Sequence, residues 1–502
     1  MDADLPTAFG SWNATSELSA WRGDGTVCHI GYVTQHAPFF DSFLPGRWET
    51  EVPYWLGERS PQPRFLATGY PCTNAENSCR RSPHNSPSIF STTTALVAHS
   101  RPPGSIRTMH LNSAGRSLCP RIRMAYDGIQ SVMGSRTRRI TVFLAIIQSV
   151  LFLTHLLLYK TWAFAAPGTA TEPWMPAVLG LLSVSFVGAS LLAFRYTNAL
   201  VRAFYRAAAV WMGLLSFLFI ASLLAWMIFI AARVAGAGLN FHRMVVVLFA
   251  TATLVGVLGV FNAGWTRITR ATIRLRNLPD AWRGRKAALI SDLHLGHVRN
   301  GNFLRRMIAK ILEESPDAIF IAGDLYDGTA IDAQTAAQPL SDLTAPRGVY
   351  FVAGNHEQFG DDSKYLSAIA ATGVRVLSNE KVDVDGLQIV GVPYRNATQH
   401  TALASVLRHL HLDRNRASIL LTHAPDYPEI AEAAGFSLQL SGHTHLGQFI
   451  PWSWIARRVY RQFVYGLSRI GKMQVFTSSG AGTWGPPLRL GSNPEIVLLK
   501  FE

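Results

Sequence analysis

Cysteine is scarce in this sequence, and its position excludes one kind of metal site. The four cysteines, Cys28, Cys72, Cys79 and Cys119, all precede residue 124, and their spacings match no zinc-binding pattern. Because the C-terminal half has no cysteine, nothing there favours a structural zinc site built on thiolates.

Charged residues are also few, and acids are fewer than bases. Only 16% of the residues are charged and 48% are hydrophobic, with 32 acids against 46 lysines and arginines and a formal net charge of +14. This composition is apolar for a soluble protein. Many of the arginines flank one apolar region, so the charge predicts membrane topology, and we expect no nucleic-acid partner.

Residues 1–123 lack a sustained apolar period and are rich in Ser, Pro, Thr, Asn and Arg. They also lack a basic segment followed by an apolar one, so we expect no secretory signal peptide there. One hypothesis is a disordered extension. The other is that translation begins at Met109, Met124 or Met133, and the mass of the natural N-terminus distinguishes the two.

Residues 124–265 contain four apolar segments, at about 140–159, 177–194, 207–232 and 244–265. A bilayer with a hydrocarbon core of about 30 Å needs about 20 such residues per helix, so we predict a membrane region of four transmembrane helices. The second segment is the shortest and contains Gly180 and Gly188. None of the four contains an acid, and the single histidine His155 gives little support for a proton path.

The distribution of arginines predicts the orientation in the membrane. Basic residues precede the first span, lie between the second and third, and follow the fourth: Arg136, Arg138, Arg139, Arg195, Arg202, Arg206, Arg267, Arg270, Arg274 and Arg276. The opposite loops hold only Lys160, Arg233 and Arg243. We therefore expect a multi-pass protein of the cell (inner) membrane whose C-terminal half faces the cytoplasm. If the short second span did not insert, that half would face outside.

The C-terminal half repeats one pattern five times: an apolar strand, a sharp turn, and then a polar side chain. The segments are AALISDLH (Asp292, His294), AIFIAGD (Asp324), VYFVAGNHE (Asn355, His356), SILLTH (His423) and FSLQLSGHTH (His443, His445). Open α/β sheets gather their sites at the carboxyl ends of strands, so these side chains should meet. Glycines before Asp324, Asn355 and His443 allow tight turns.

The ordered set Asp-x-His, Gly-Asp, Gly-Asn-His-Glu, His and Gly-His-x-His resembles the calcineurin-like metallophosphoesterases. The segments GHTHLGQ and SSGAGTWGPPLRLG resemble the bacterial membrane-associated phosphodiesterases of that superfamily. The resemblance covers residues 266–502 and implies a four-layer α/β/β/α sandwich. Helical patterns at 302–314, 363–372 and 401–410, and an Asp-Gly hairpin turn at 385–386, agree with that fold.

The resemblance also implies two adjacent divalent metal ions bridged by Asp324. One ion would take Asp292, His294 and His445, and the other Asn355, His423 and His443, while His356 stabilises the phosphate or protonates the leaving group. Such a pair of ions neutralises an anionic phosphodiester and lowers the pKa of a water to about 7. Carboxylate, carboxamide and imidazole ligands suit Mn, Fe, Zn or Co, of which we expect Mn first.

Outside this set, the sequence offers weaker signals. His297 follows the first motif and is a candidate substrate contact, whereas His400, His409 and His411 fit no pattern. The stretch 449–466 interleaves aromatics with Arg457 and Arg458; it predicts either a hairpin on the sheet or an amphipathic lip that contacts lipid and guides a phosphate-bearing substrate.

We therefore expect a membrane-anchored metal-dependent phosphohydrolase, a phosphodiesterase or pyrophosphatase, acting on a lipid-linked phosphate. Tethering the active site to the bilayer favours such a substrate. The alternatives are a soluble nucleotide or small diester as substrate, or a membrane sensor or scaffold without turnover.

Overall fold

In the computed structural model, the described residues are 13–21, 27–36, 49–56, 120–170, 174–359 and 362–502. The first three ranges form an antiparallel sheet of β1 (Asn13–Trp21), β2 (Val27–His36) and β3 (Glu49–Leu56). The rest of the expected disordered extension up to residue 119 lies outside the described residues, and both hypotheses about residues 1–123 stay predictions.

Long apolar helices follow. Their bounds are α1 (Pro120–Ala165), α3 (Trp174–Ala193), α4 (Ala199–Val234) and α5 (Phe241–Ala263), with the short α2 (Pro167–Ala170) after α1. Four segments are long and apolar enough to span a membrane: Ile140–Ala165, Trp174–Ala193, Ala199–Val234 and Phe241–Ala263. Most of their surface is apolar and exposed, as a lipid-facing surface is.

Two six-stranded sheets build the C-terminal half. The strands are β4 (Arg267–Ile273), β5 (Lys286–Ile290), β6 (Ala318–Ile321), β7 (Val349–Phe351), β8 (Arg375–Val376), β9 (Glu380–Val384), β10 (Leu387–Val392), β11 (Ser418–Thr422), β12 (Leu438–Ser441), β13 (Gly466–Ile470), β14 (Met473–Thr477) and β15 (Glu495–Phe501). The first sheet has the order β4-β15-β5-β6-β7-β8 and the second β13-β14-β12-β11-β10-β9. Strands β5 to β8 run parallel, as do β10, β11, β12 and β14.

The sheets pack face to face, and helices cover their outer faces. The central core contains buried side chains of both sheets, such as Leu289 of β5 and Leu421 of β11. The helices are α6 (Gly301–Glu313), α7 (Ala333–Ala337), α8 (Ser363–Ala370), α9 (Tyr394–Ala397), α10 (His400–His409), α11 (Pro428–Ala434) and α12 (Trp452–Tyr460). Residues of α6 to α8 pack on the first sheet, and residues of α9 to α11 pack on the second. The predicted four-layer sandwich is therefore confirmed.

Two local features that the sequence predicts are the Asp-Gly turn at 385–386 and the stretch 449–466. The Asp-Gly turn joins β9 to β10, with left-handed φ angles of 48° at Asp385 and 86° at Gly386. In contrast, the stretch 449–466 does not form a hairpin, one of its two interpretations, because α12 and a following 3-10 turn (Arg461–Phe463) occupy most of it. The hairpin forms directly after it, from β13 and β14.

Candidate metal centre

Each predicted ligand segment follows a strand. Asp292 and His294 follow β5, Asp324 follows β6, and Asn355 and His356 follow β7. In the second sheet, His423 follows β11, and His443 and His445 follow β12. Because these strands are parallel within each sheet, their carboxyl ends lie together, and the facing sheets bring the two sets of side chains into one site.

The backbone at this site is held in unusual conformations. Asp292, His294, Asp324, His443 and His445 all have left-handed φ angles, between 49° and 68°. Such strain persists only where the surrounding structure over-determines it, and it clusters at functional sites. Close packing adds a second constraint: a Cβ on Gly354 would lie 2.1 Å from Asp324 Oδ1, so only glycine fits there.

The side chains converge in three overlapping groups whose ligand atoms lie within 4.8 Å of one another. The groups are Asp292 with His294 and His445, His294 with Asp324 and His356, and Asp324 with His423 and His443. His294 Nε2 lies 3.0 Å from His445 Nε2, and His423 Nε2 lies 3.0 Å from both His443 Nδ1 and Asn355 Oδ1. Nitrogen lone pairs this close, in a buried place, fit a divalent cation between them.

Asp324 lies at the centre of these groups. Its Oδ2 is 3.2 Å from His423 Nε2, 3.8 Å from His294 Nε2 and 3.9 Å from His356 Nε2. Its Oδ1 accepts a hydrogen bond from the backbone N–H of His356 at 3.0 Å, which fixes the plane of the carboxylate. One oxygen therefore faces the ligands of two groups at once.

Burial and nearby charges shift the pKa values of the site residues. Burial raises the pKa of Asp292 to about 6, while His423 and His356 outweigh burial and hold the pKa of Asp324 well below its usual range. Although burial opposes protonation of His423, the Asp324 carboxylate raises its pKa to about 9. Burial, together with His423, lowers the pKa of His443 to about 3. Asp324 and His423 thus each favour the charged form of the other, with Asp324 Oδ2 3.2 Å from His423 Nε2.

Supporting residues orient the ligands. His423 Nδ1 donates to Ala322 O at 2.7 Å, which turns Nε2 toward the cluster. Both oxygens of Asp292 accept from the backbone N–H of His443 at 3.1 Å. The fully buried Glu357 accepts from the N–H groups of Asp324, Tyr326 and Gly354 at 3.0, 3.1 and 2.8 Å.

Three predicted residues lie outside the cluster. His297 is buried, and both ring nitrogens are hydrogen bonded, Nδ1 with Thr329 Oγ1 and Nε2 with Tyr196 O, each at 2.9 Å. Its ring thus joins a catalytic-domain loop to the chain between α3 and α4. Arg457 and Arg458 are exposed on α12. Their substrate contacts stay predictions.

Sequence reasoning missed two supporting residues. Glu357 is the last residue of the segment VYFVAGNHE and directly follows Asn355 and His356, so its position in the sequence indicates a role at the site. Arg489 lies in SSGAGTWGPPLRLG and is fully buried beside His445. No local pattern indicates that contact, because 44 positions separate the two residues.

Comparison with known proteins agrees with this geometry. The calcineurin-like phosphoesterase family profile matches residues 285–447. A metallophosphoesterase of Campylobacter jejuni is 34% identical over 229 residues, covering 45% of this chain and 61% of the relative. A transmembrane protein with metallophosphoesterase domain from Danio rerio is 29% identical over 392 residues, covering 71% and 88%. The chain spans about three fifths of the length of the Campylobacter relative.

A solved dimetal phosphatase from Danio rerio has a TM-score of 0.21 at 10% identity, covering 39% of this chain and 87% of that chain. A metallophosphoesterase of Aquifex aeolicus, in contrast, is 31% identical over 263 residues, covering 50% of this chain and 97% of the relative. The match over nearly the whole of that relative, together with the family profile, shows that this chain belongs to the calcineurin-like metallophosphoesterases.

Proposed function

We propose that the protein is a membrane-anchored phosphohydrolase, a phosphodiesterase or pyrophosphatase, that uses two divalent ions to activate water on a lipid-linked phosphate. The observation that carries the dinuclear part is the position of Asp324 Oδ2, which faces His423 of one ligand group and His294 of the other. The donor set of carboxylates, imidazoles and the Asn355 carboxamide suits Mn, Fe, Zn or Co, and Mn is our first expectation.

The residues of the chain have distinct roles in this mechanism. Ions held here would act as Lewis acids on phosphate oxygens and lower the pKa of a water to about 7. Asp324 fixes the spacing of the two ligand groups, and its own geometry depends on the His356 N–H. We propose that the His356 ring, whose Nε2 lies 3.9 Å from Asp324 Oδ2, donates to a phosphate oxygen or holds the proton that the leaving oxygen takes. Burial of the ligands excludes bulk water, which strengthens each of these interactions.

Helix α12 supports a substrate that comes from the bilayer. Just before it, Phe449 packs against Phe217 of α4 with ring centroids 5.8 Å apart. At its end, the Tyr460 ring lies 6.1 Å from the ring of His443. This nine-residue helix therefore connects the surface of a candidate membrane helix with a candidate metal ligand.

The exposed side chains of α12 have the pattern of an interfacial helix. Trp452, Ile455 and Val459, spaced three and four residues apart, are 52%, 51% and 62% exposed on one face. Ser453 of the same helix is buried, whereas Trp454, Arg457 and Arg458 are exposed outside that apolar face. Apolar side chains at the level of the acyl chains and arginines at the level of the phosphates stabilise such a helix on a membrane. We propose that α12 guides an anionic head group toward His443 while the acyl chains stay in the bilayer.

We propose further that the metallophosphoesterase domain faces the cytoplasm at the inner membrane. The proposal depends on the arginines that flank the spans, such as Arg202 and Arg206 before the apolar part of α4 and Arg267 after α5. Arg206 donates to His297 O at 2.8 Å, so at least one of these arginines also contacts the catalytic domain.

One experiment tests both reaction and substrate. Purified full-length protein with Mn is assayed on phosphate monoesters, diesters and nucleotide pyrophosphates, and then on a phospholipid-type diester and its deacylated head group in mixed micelles. We expect hydrolysis of diesters or pyrophosphates, with higher catalytic efficiency on the lipid. Equal efficiency on lipid and head group would refute the lipid substrate, and inactivity on every compound with both metals bound would favour a scaffold.

Paired substitutions isolate the role of α12. The double variant Ile455→Asp, Val459→Asp should raise KM for the lipid and leave KM for the deacylated head group unchanged, because only the lipid substrate depends on the contact of α12 with the membrane surface. Leu467→Asp on β13 is the matched control, since Leu467 is an exposed apolar residue, 45% exposed, outside α12. An equal effect of both variants on the lipid would contradict the proposed role.

A further inference from the structure

One loop of the catalytic domain, residues 484–492, is seated on the membrane helices; we call it the junction loop. Leu488 is fully buried, and a Cβ added to Gly259 of α5 or Gly213 of α4 would lie 2.9 or 3.2 Å from its side chain. The two glycines thus make the space that this leucine fills. The seat is specific, because a single added methyl group would displace Leu488.

Hydrogen bonds fix the backbone of the junction loop to the end of α5. Arg489 N–H donates to Gly259 O at 2.9 Å. The Asn262 side-chain amide donates to Arg489 O at 3.1 Å and to Ser492 O at 3.2 Å. These hydrogen bonds from and to α5 therefore hold the backbone of the junction loop at Arg489 and at Ser492.

The Arg489 side chain runs from this seat to the metal ligands. It is fully buried, its Nη1 donates to His445 O at 2.9 Å, and its Nη2 lies 2.9 Å from His445 Nδ1. Nη2 also donates to Gly482 O at 2.6 Å, and the Gly482 N–H donates to Asp292 O at 2.8 Å. One guanidinium thus holds the backbone of His445 directly, and it holds the backbone of Asp292 through Gly482.

Burial of a cation beside a candidate cation site needs a reason. A buried charge is costly unless it is well hydrogen bonded, and a buried ionic group is weak evidence for stability alone. Arginine is suited to this place because its planar fork donates to the backbone carbonyls of His445 and Gly482 together. A residue that only closed the loop would not need to reach a ligand.

We propose that Arg489 is a positioning residue through which the membrane helices hold the metal ligand His445, so that α4 and α5 form part of the support of the metal centre. The inference rests on the proposed dinuclear site. It concerns the ion expected at Asp292, His294 and His445 and leaves the ion expected at Asn355, His423 and His443 unaffected. Loss of an outer partner of a metal ligand typically weakens metal binding about 10- to 100-fold.

Metal binding by the full-length protein tests this without any substrate. Mn is titrated into the metal-free protein in detergent, bound metal is counted by mass spectrometry, and electron paramagnetic resonance distinguishes a spin-coupled Mn pair from single ions. Arg489→Met should weaken one of two sites about 10- to 100-fold and replace the signal of the pair by that of single Mn ions. Arg489→Lys, which keeps the charge and loses the fork, should recover part of the affinity.

Two glycine substitutions on α5 form a matched pair that tests the role of the membrane helices. Gly259→Ala crowds Leu488 and should weaken the same site without touching any ligand. Gly256→Ala, three residues earlier on α5, crowds the flexible end of Leu214 instead and should leave both sites intact. This pair also decides the matter if Arg489→Met does not fold.

The outcomes separate the inference from the proposed function. If the wild-type protein binds no metal pair, the proposed function fails. If it binds the pair and both Arg489→Met and Gly259→Ala bind it with wild-type affinity, the function stands and the inference is overturned. Equal weakening by Gly259→Ala and Gly256→Ala would also overturn it, since the effect would then come from helix packing in general.

Discussion

Replacing Asp324 with asparagine changes the charge of one side chain and little else. Asparagine keeps an oxygen that can accept from the His356 N–H, the bond that Asp324 Oδ1 makes at 3.0 Å. It loses the second oxygen, which lies 3.2 Å from His423 Nε2 and 3.8 Å from His294 Nε2, and offers an N–H₂ group or a neutral oxygen in its place. The fold should therefore survive while both ligand groups lose their shared carboxylate.

We expect Asp324→Asn to retain less than a tenth of the wild-type turnover, a barrier increase of more than about 1.4 kcal/mol. Because a bridging ligand serves both ions, the variant should lose turnover and bind fewer metal ions per protein, and the change should not be confined to KM. The assay is hydrolysis of a chromogenic phosphodiester with Mn, together with the metal content of the purified protein. More than about a tenth of the rate in the variant would refute the bridging role.

Asp327 provides the matched control. It is three residues from Asp324, its Oδ1 accepts from Thr329 N at 2.8 Å, and its Oδ2 accepts from His297 N at 3.3 Å. It is in none of the three ligand groups. Asp327→Asn should keep the metal content, and if it loses both metals as Asp324→Asn does, the effect belongs to the loop and not to the carboxylate.

Two further predictions follow from the charges of the site. Glu357→Gln should lower the free energy of unfolding by about 1–3 kcal/mol, because the Glu357 side chain accepts from three backbone N–H groups and an amide cannot accept from all of them. Denaturant titration measures this change, and an unchanged midpoint would contradict it. Mn binding at pH 7 should release about one proton, measured in weakly buffered solution, because the pKa of His423 is raised to about 9 in the metal-free protein and a ligand nitrogen must be neutral. Apparent Mn affinity should accordingly rise with pH up to about 9, and a pH-independent affinity between 6 and 9 would contradict this ionisation.

The fold and the ligand convergence could be predicted because the sequence carries them locally. Each ligand segment joins an apolar strand to a turn, and the carboxyl ends of parallel strands meet at one edge. The order of the segments then indicated a known fold, and the sandwich followed. Local pattern also sufficed for the hairpin at Asp385 and Gly386, whose left-handed angles Asp-Gly favours.

Contacts across the sequence could not be predicted in the same way. The stretch 449–466 has aromatics and arginines at spacings that suit a strand or a short helix, and its packing between Phe217 and His443 favours the helix. The position of His297 directly after the first motif predicts a substrate contact, and this contact stays a prediction. Its two hydrogen bonds to Thr329 and Tyr196 depend on where the chain between α3 and α4 lies, which no nearby residue encodes.

The charge balance of the site gives a physical reason for an anionic substrate. Asp292, Asp324 and Glu357 bring three buried acidic side chains to the site and its support, and Arg489 brings one buried guanidinium. Burial raises the pKa of Glu357 to about 7, so this acid contributes only part of a charge at neutral pH. In the metal-free protein, the ion pair of Asp324 with His423 offsets part of the remaining negative charge. Two divalent ions would make the net charge of the site positive. Because the site is buried and its dielectric constant is low, this positive charge would attract an anion strongly. A phosphodiester or pyrophosphate supplies the missing negative charge, so substrate binding and metal binding should reinforce each other.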